Sequence, residues 1–157
     1  MADRDPRPAP VRPSASTLHL DCDPAHLARV RAFVRAEAAA LGADDEAVCD
    51  LVQAVDEWVT NVGRHGYRGS RGPVEIEIDR DGAEIVVNVR DRAPVFDPAD
   101  APPFDPSVPL DRRRPGGMGI YLMRALMGSI GHRRRDGGGN EVTLRRARRS
   151  VNAGGNA

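Results

Sequence analysis

The sequence predicts an α+β fold: a two-layer sandwich in which helices cover one face of a mixed β-sheet. Three observations lead there. Apolar residues recur at steps of three and four from Val48 to Val62, the period of an amphipathic helix. Residues 73–79 and 84–91 alternate apolar and polar side chains on either side of Asp81-Gly82, which describes an antiparallel hairpin. A second pair of strand-like segments, about 129–135 and 140–147, flanks a glycine-rich turn.

Each element follows in order. Residues 1–15 hold four prolines among charged residues and cannot bury enough surface to offset ordering, so they form a disordered tail. Thr17 begins a short alternating strand. Asp23-Pro24 starts a helix with proline at its first position, and Leu27, Val30, Val34, Ala38 and Leu41 form its buried stripe before Gly42. Asp44 and Asp45 offer the cap of a second helix, buried through Val48, Leu51, Val52, Val55, Val59 and Val62. Trp58, on the flank of that stripe, reads as a core or helix-packing residue. After the first hairpin, residues 94–115 carry seven prolines and no period, which makes a long loop. Gly116, Gly117 and Gly119 then open a short apolar helix ending near Gly128, ahead of the second hairpin. The domain spans residues 16–148, and 149–157 form a flexible tail.

Composition narrows the function. A chain of 157 residues is one domain. Basic and acidic residues balance at 23 each, so no global field favours nucleic acid or an anionic membrane. The chain contains no lysine, which excludes the phosphate loop that ends in Gly-Lys-Ser/Thr. Cys22 and Cys49 stand apart and read as reduced core residues, with no metal or redox motif. No apolar run approaches a membrane span and no signal segment precedes the domain, so the expected location is cytoplasmic.

Three clusters hold groups suited to chemistry. Glu57 and Asn61 are four apart on the second helix, on one face and nearly opposite the valine stripe. Alone, that spacing describes a solvated face. Asp91 ends a strand at the mouth of the long loop, where a carboxylate can accept two hydrogen bonds. The glycines at the next helix start let a phosphate approach backbone N–H groups, or form a plain hinge. His65 reads as a structural histidine at a helix end. Arg112, Arg113 and Arg114 either neutralise phosphate from the loop or form a solvated run.

In this order, "DEWVTNVGRHGY", "VRDRAPVFDP" and "GGMGIYLMRALMG" resemble the N-box, adenine box and glycine box of the histidine-kinase-like ATPase superfamily. The likeness is nearest to its small branch, the bacterial anti-sigma-factor serine kinases, and covers residues 17–147. It implies a Bergerat-type ATP-binding fold with the proline-rich loop, about 94–116, as lid. Asn61 would ligate Mg²⁺, Asp91 would accept the adenine amino group, and Ala93 would lie beside the base. Gly117, Met118 and Gly119 would bind phosphate, and Glu57 would be the general base toward a protein serine. A sigma factor and a STAS-type anti-sigma-factor antagonist are the implied partners, and a homodimer is a further expectation.

One departure bears on activity. The superfamily's adenine box reads Asp-x-Gly-x-Gly, whereas here Ala93 and Val95 replace both glycines. A methyl group thus stands where the chain passes close to the base. Two functions follow: a serine/threonine kinase, or a partner-binding module of the same fold with weak nucleotide binding.

Overall fold

The computed structural model describes residues 15–113 and 117–150. The predicted tails therefore lie mostly outside the described residues, as do Arg114 and Gly116. The elements are β1 (Ser16–Asp21), α1 (Leu27–Ala40), α2 (Asp45–Asn61), β2 (Pro73–Asp81), β3 (Glu84–Asp91), α3 (Met118–Leu126), β4 (Ser129–Arg134) and β5 (Asn140–Ala147).

The five strands form one sheet in the order β1-β2-β3-β5-β4. Two layers with helices on one face are as expected, but the sheet is not mixed: every neighbouring pair runs antiparallel. Connectivity explains the difference. Two helices between β1 and β2 return the chain so that β2 runs against β1. The single-helix crossover through α3 makes β4 parallel in sense to β3, but β5 folds back from β4 and inserts between them. Strands of like direction therefore never share hydrogen bonds.

Register sorts the two faces. Val74, Ile76 and Ile78 of β2 stand opposite Asp91, Val89 and Val87 of β3, and Val89 and Val87 in turn oppose Val142 and Leu144 of β5. All are buried under the helices. The other face carries Glu75, Glu77, Arg90 and Glu141, with Arg90 bonded to all three glutamates. This half-buried cluster replaces the apolar layer that a second helix sheet would need.

Asp44 caps α2 by accepting from Ala47 N at 2.9 Å, and all six predicted apolar residues from Val48 to Val62 are buried. Trp58 is in the core, one of the two places its flank position allows. In α1 the chain first makes a 3-10 turn, Pro24–His26, and Leu27 and Leu41 are only half-buried. The end of α2 widens into a π-helical turn, Val62–Gly66, closed by Tyr67 N donating to Val62 O at 2.8 Å. Cys22 is buried, whereas Cys49 is exposed, because it lies one turn before exposed Gln53 on the outer side of α2. Among the described residues no helix is long and apolar enough to cross a membrane.

Candidate nucleotide-binding site

The polar face of α2 is not turned to water along its whole length. Glu57 and Asn61 are half-buried because the start of α3 packs on them. A Cβ on Gly119 would stand 2.6 Å from Glu57 Oε2 and 3.5 Å from Asn61 Nδ2. The first is closer than real Cβ contacts allow, so with the Glu57 carboxylate in this position only glycine fits. Gly117 is the N-cap of α3 with φ of 82°, a left-handed conformation that favours glycine. Its missing side chain also admits the loop: a Cβ there would lie 2.6 Å from the Pro102 carbonyl oxygen.

Between this helix start, α2 and the loop lies a cavity of about 460 Å³, a size that suits a small ligand. Trp58, Asn61, Ala93, Phe96, Gly117 and Asn140 are among its lining residues, and His65 and Gly66 also border it. Phe96 stacks on Trp58 with ring centroids 6.4 Å apart and planes 18° from parallel.

Asp91 stands behind this wall. It is the last residue of the inward row Ile85-Val87-Val89-Asp91 and is fully buried. Its Oδ1 accepts from Ala93 N at 2.9 Å and Asn140 Nδ2 at 3.0 Å, while Oδ2 has no partner. Burial pushes the Asp91 carboxyl above its ordinary value, against the hydrogen bonds from Asn140 and Ala93 that draw it down. Asp91 does not itself line the cavity, but both of its hydrogen-bond partners do.

Asn140, Phe96 and Tyr67 complete the site and are missed by sequence reasoning. Asn140 Oδ1 accepts from Phe96 N at 2.8 Å and lies 2.8 Å from His132 Nε2, and its Nδ2 also donates to Pro94 O at 3.1 Å. One buried amide thus ties the base of the loop to the sheet. The available signal is parity: Asn140 shares its inward side with Val142 and Leu144. Tyr67 OH accepts from Arg92 N at 2.8 Å and donates to Pro73 O at 2.7 Å, which fixes the chain beyond Asp91 to the end of α2.

The structure therefore brings Asn61, Ala93 and Gly117 to one cavity, with Glu57 and Gly119 in contact beside it. Met118 is 53% exposed and does not line the cavity. Of the loop arginines, Arg112 is exposed, whereas Arg113 serves the loop itself. It donates to Val108 O at 2.7 Å and Pro106 O at 2.9 Å and lies over the Phe104 ring at 5.1 Å. Cys22 donates to Val59 O at 3.3 Å, and burial pushes its thiol up to about 11.

A cavity between a helix layer and a proline-rich loop, with a glycine-opened helix at one side and a buried carboxylate behind it, has the parts of a nucleotide-binding domain. The chain belongs to the histidine kinase-like ATPase domain family, whose profile matches residues 20–146. It is 30% identical over 95 residues to the serine-protein kinase RsbW of Oceanobacillus iheyensis, covering 57% of this chain and 60% of that one. It is 32% identical over 97 residues to the serine/threonine-protein kinase BtrW of Bordetella bronchiseptica, covering 60% of this chain and 66% of the relative. The chain thus spans less than two thirds of either relative's length. A crystal structure of the RsbU and RsbW domains of a Mycobacterium tuberculosis protein superposes with a TM-score of 0.57 at 25% identity, over 84% of this chain and 32% of the other.

Proposed function

We propose that the chain is an ATP-dependent protein serine/threonine kinase of the anti-sigma-factor type. It phosphorylates an anti-sigma-factor antagonist and, when not engaged by it, sequesters a sigma factor. The seating of Gly119 on Glu57 and Asn61 carries this reading, because it joins a carboxylate, a carboxamide and a glycine-opened helix start beside the cavity.

Each group has a role that matches its chemistry. Glu57 takes the proton of a serine hydroxyl as that oxygen attacks the γ-phosphorus, and the bond to the bridging β–γ oxygen breaks to release ADP. Gly117 and Gly119 open α3, whose positive end would receive phosphate through its backbone N–H groups. Asp91 Oδ2, a buried acceptor without a partner, suits the adenine amino group. The amide oxygen of Asn61 fits Mg²⁺, which would neutralise phosphate charge there. Among the described residues no group of three or more His, Cys, Asp or Glu could hold a metal, so such an ion depends on phosphate oxygens for the rest of its shell.

Incubation with γ-labelled ATP, Mg²⁺ and a cognate STAS-type anti-sigma-factor antagonist tests the proposal. Labelling of one serine is expected, with a fall of at least about a hundredfold in Glu57→Gln and nucleotide affinity nearly unchanged. Undiminished labelling by Glu57→Gln removes Glu57 as base. The burial of Asp91 behind Ala93 and Asn140 favours a second reading, a partner-binding module with weak nucleotide binding. Calorimetric titration with Mg-ATP separates the two, since tight binding that depends on Asp91 contradicts the module.

A further inference from the structure

We infer that Gly66 and Ala93 are a matched pair that sets the spacing between the end of α2 and the Asp91–Ala93 segment, so that Gly66 is a positioning residue for the nucleotide site. The inference rests on the nucleotide reading above and explains how the site accommodates the methyl group of Ala93. The two residues come from separate elements, the π-helical turn after α2 and the chain beyond β3, and both line the cavity. Ala93 is buried, and a Cβ on Gly66 would lie 2.7 Å from the Ala93 Cβ. Real Cβ atoms do not come within 3.0 Å of a neighbour, so there is room for one methyl here and not two. The Ala93 methyl fills the notch left by the side chain that Gly66 lacks.

Neither segment is free to yield. Tyr67 N closes the turn on Val62 O at 2.8 Å, and Tyr67 OH holds both Arg92 N at 2.8 Å and Pro73 O at 2.7 Å. On the other side, Ala93 N is bound to Asp91 Oδ1 at 2.9 Å. The contact is therefore pinned next to Gly66 and next to Ala93. A second methyl would push on Ala93 and, through its N–H, on the carboxylate of Asp91. The requirement for glycine at 66 is one of space and not of conformation, because Gly66 does not have a positive φ.

That distinction gives the test its sign. Where space allows, glycine to alanine in a helical turn stabilises a protein, so a loss of stability in Gly66→Ala reports the collision. Four proteins are compared: wild type, Gly66→Ala, Ala93→Gly and the double variant. Each is melted without nucleotide and titrated with Mg-ATP by calorimetry. Gly66→Ala is expected to melt lower by about 3–10 °C and to bind nucleotide about tenfold or more weakly. The double variant is expected to regain most of both losses, because removing the Ala93 methyl reopens the space. A Gly66→Ala protein that melts at or above wild type, or a double variant no better than Gly66→Ala, overturns the pairing. Coupled melting with unchanged affinity in Gly66→Ala overturns the positioning role. If wild type and Ala93→Gly both fail to bind nucleotide, the nucleotide reading fails, and the positioning role with it, while the melting cycle still decides the pairing.

Discussion

Asp91→Asn separates stability from binding and so tests what the buried carboxylate is for. The substitution keeps the shape of the side chain and its Oδ1 acceptor, which serves Ala93 N and Asn140 Nδ2, and replaces the unpartnered Oδ2 with an amide. Leaving a buried polar atom unpaired costs about 1–3 kcal/mol, more when it is charged. The new amide also lacks a partner but is neutral and easier to desolvate. The free variant should therefore be as stable as wild type or more so, by up to about 2 kcal/mol at pH 7, a rise of roughly 2–4 °C per kcal/mol for a chain of this size. Nucleotide binding should move the other way. On the proposed reading, in which Oδ2 receives the adenine amino group, replacing that acceptor with a donor forfeits about 1.5–3 kcal/mol, roughly a ten- to 150-fold loss of affinity.

The sign of the pH dependence follows from the same burial. A carboxyl whose folded pKa is raised favours the folded state when protonated, and that contribution is lost as pH rises through the folded value. Asp91 thus weighs against folding at pH 7, and the advantage of Asp91→Asn should shrink as pH is lowered from 7 into the carboxylate range. Thermal melts at pH 7 and pH 4.5, with calorimetric titration at pH 7, read all three quantities. A variant that melts well below wild type at pH 7, or that binds nucleotide undiminished, refutes the reasoning.

Two further substitutions probe the other half of the site and the opposite face. Gly119→Ala would put a methyl 2.6 Å from Glu57 Oε2, the mobile end of a side chain, so the carboxylate swings aside. Stability should change by less than about 1 kcal/mol, whereas phosphotransfer to the antagonist should fall about a hundredfold, as displacement of a reacting group by about 1 Å does; an unchanged transfer rate removes Glu57 from the chemistry. Arg90→Met would leave Glu75, Glu77 and Glu141 clustered without their cation and should destabilise the fold by about 1–3 kcal/mol at pH 7. Hydrogen bonds from Arg90 hold Glu77 below its ordinary value; at Glu141 burial is the largest influence and acts upward, but Arg90 and Arg133 together bring the carboxyl below its ordinary value, so in wild type this contribution is lost as pH falls through the carboxylate range. In Arg90→Met the glutamates instead gain from protonation. Urea unfolding at pH 7 and pH 4 should show the gap closing at acid pH, and parallel curves would contradict it.

The helix α2 was legible because its apolar period is unbroken from Val48 to Val62 and nothing in tertiary packing opposes it. The hairpins were legible for the same reason, with period two. The orientation of the whole sheet was not, because it depends on where β5 inserts, and no local pattern states that. Asp91 was found as a strand-end carboxylate, yet its burial needed the parity of Ile85, Val87 and Val89 to be carried one step further. Asn140 was hidden because it adjoins a glycine run that reads as a turn, although it belongs to β5. The contact of Gly66 with Ala93 and the stack of Trp58 on Phe96 join segments distant in the chain, and such pairings exist only once the fold has formed.

The two faces of the sheet treat polar groups in opposite ways, and this difference itself points to the site. On the open face Arg90 satisfies three glutamates, and Asn88 is bonded to Glu77 and Thr143. That face is electrostatically complete without a ligand. Under the helices, Asp91 Oδ2 and Trp58 Nε1 are two of the three buried side-chain polar atoms without partners among the described residues, and both residues border the cavity or its wall. A core shaped for stability alone would place apolar residues there, since register makes position 91 the direct continuation of an Ile-Val-Val row. The sheet instead ends that row in a carboxylate, supports one of its oxygens with Asn140 and Ala93, and leaves the other unsatisfied. A group held rigidly and left unsatisfied is preorganised for an incoming donor. The gain in stability expected for Asp91→Asn would measure what that arrangement costs the free protein.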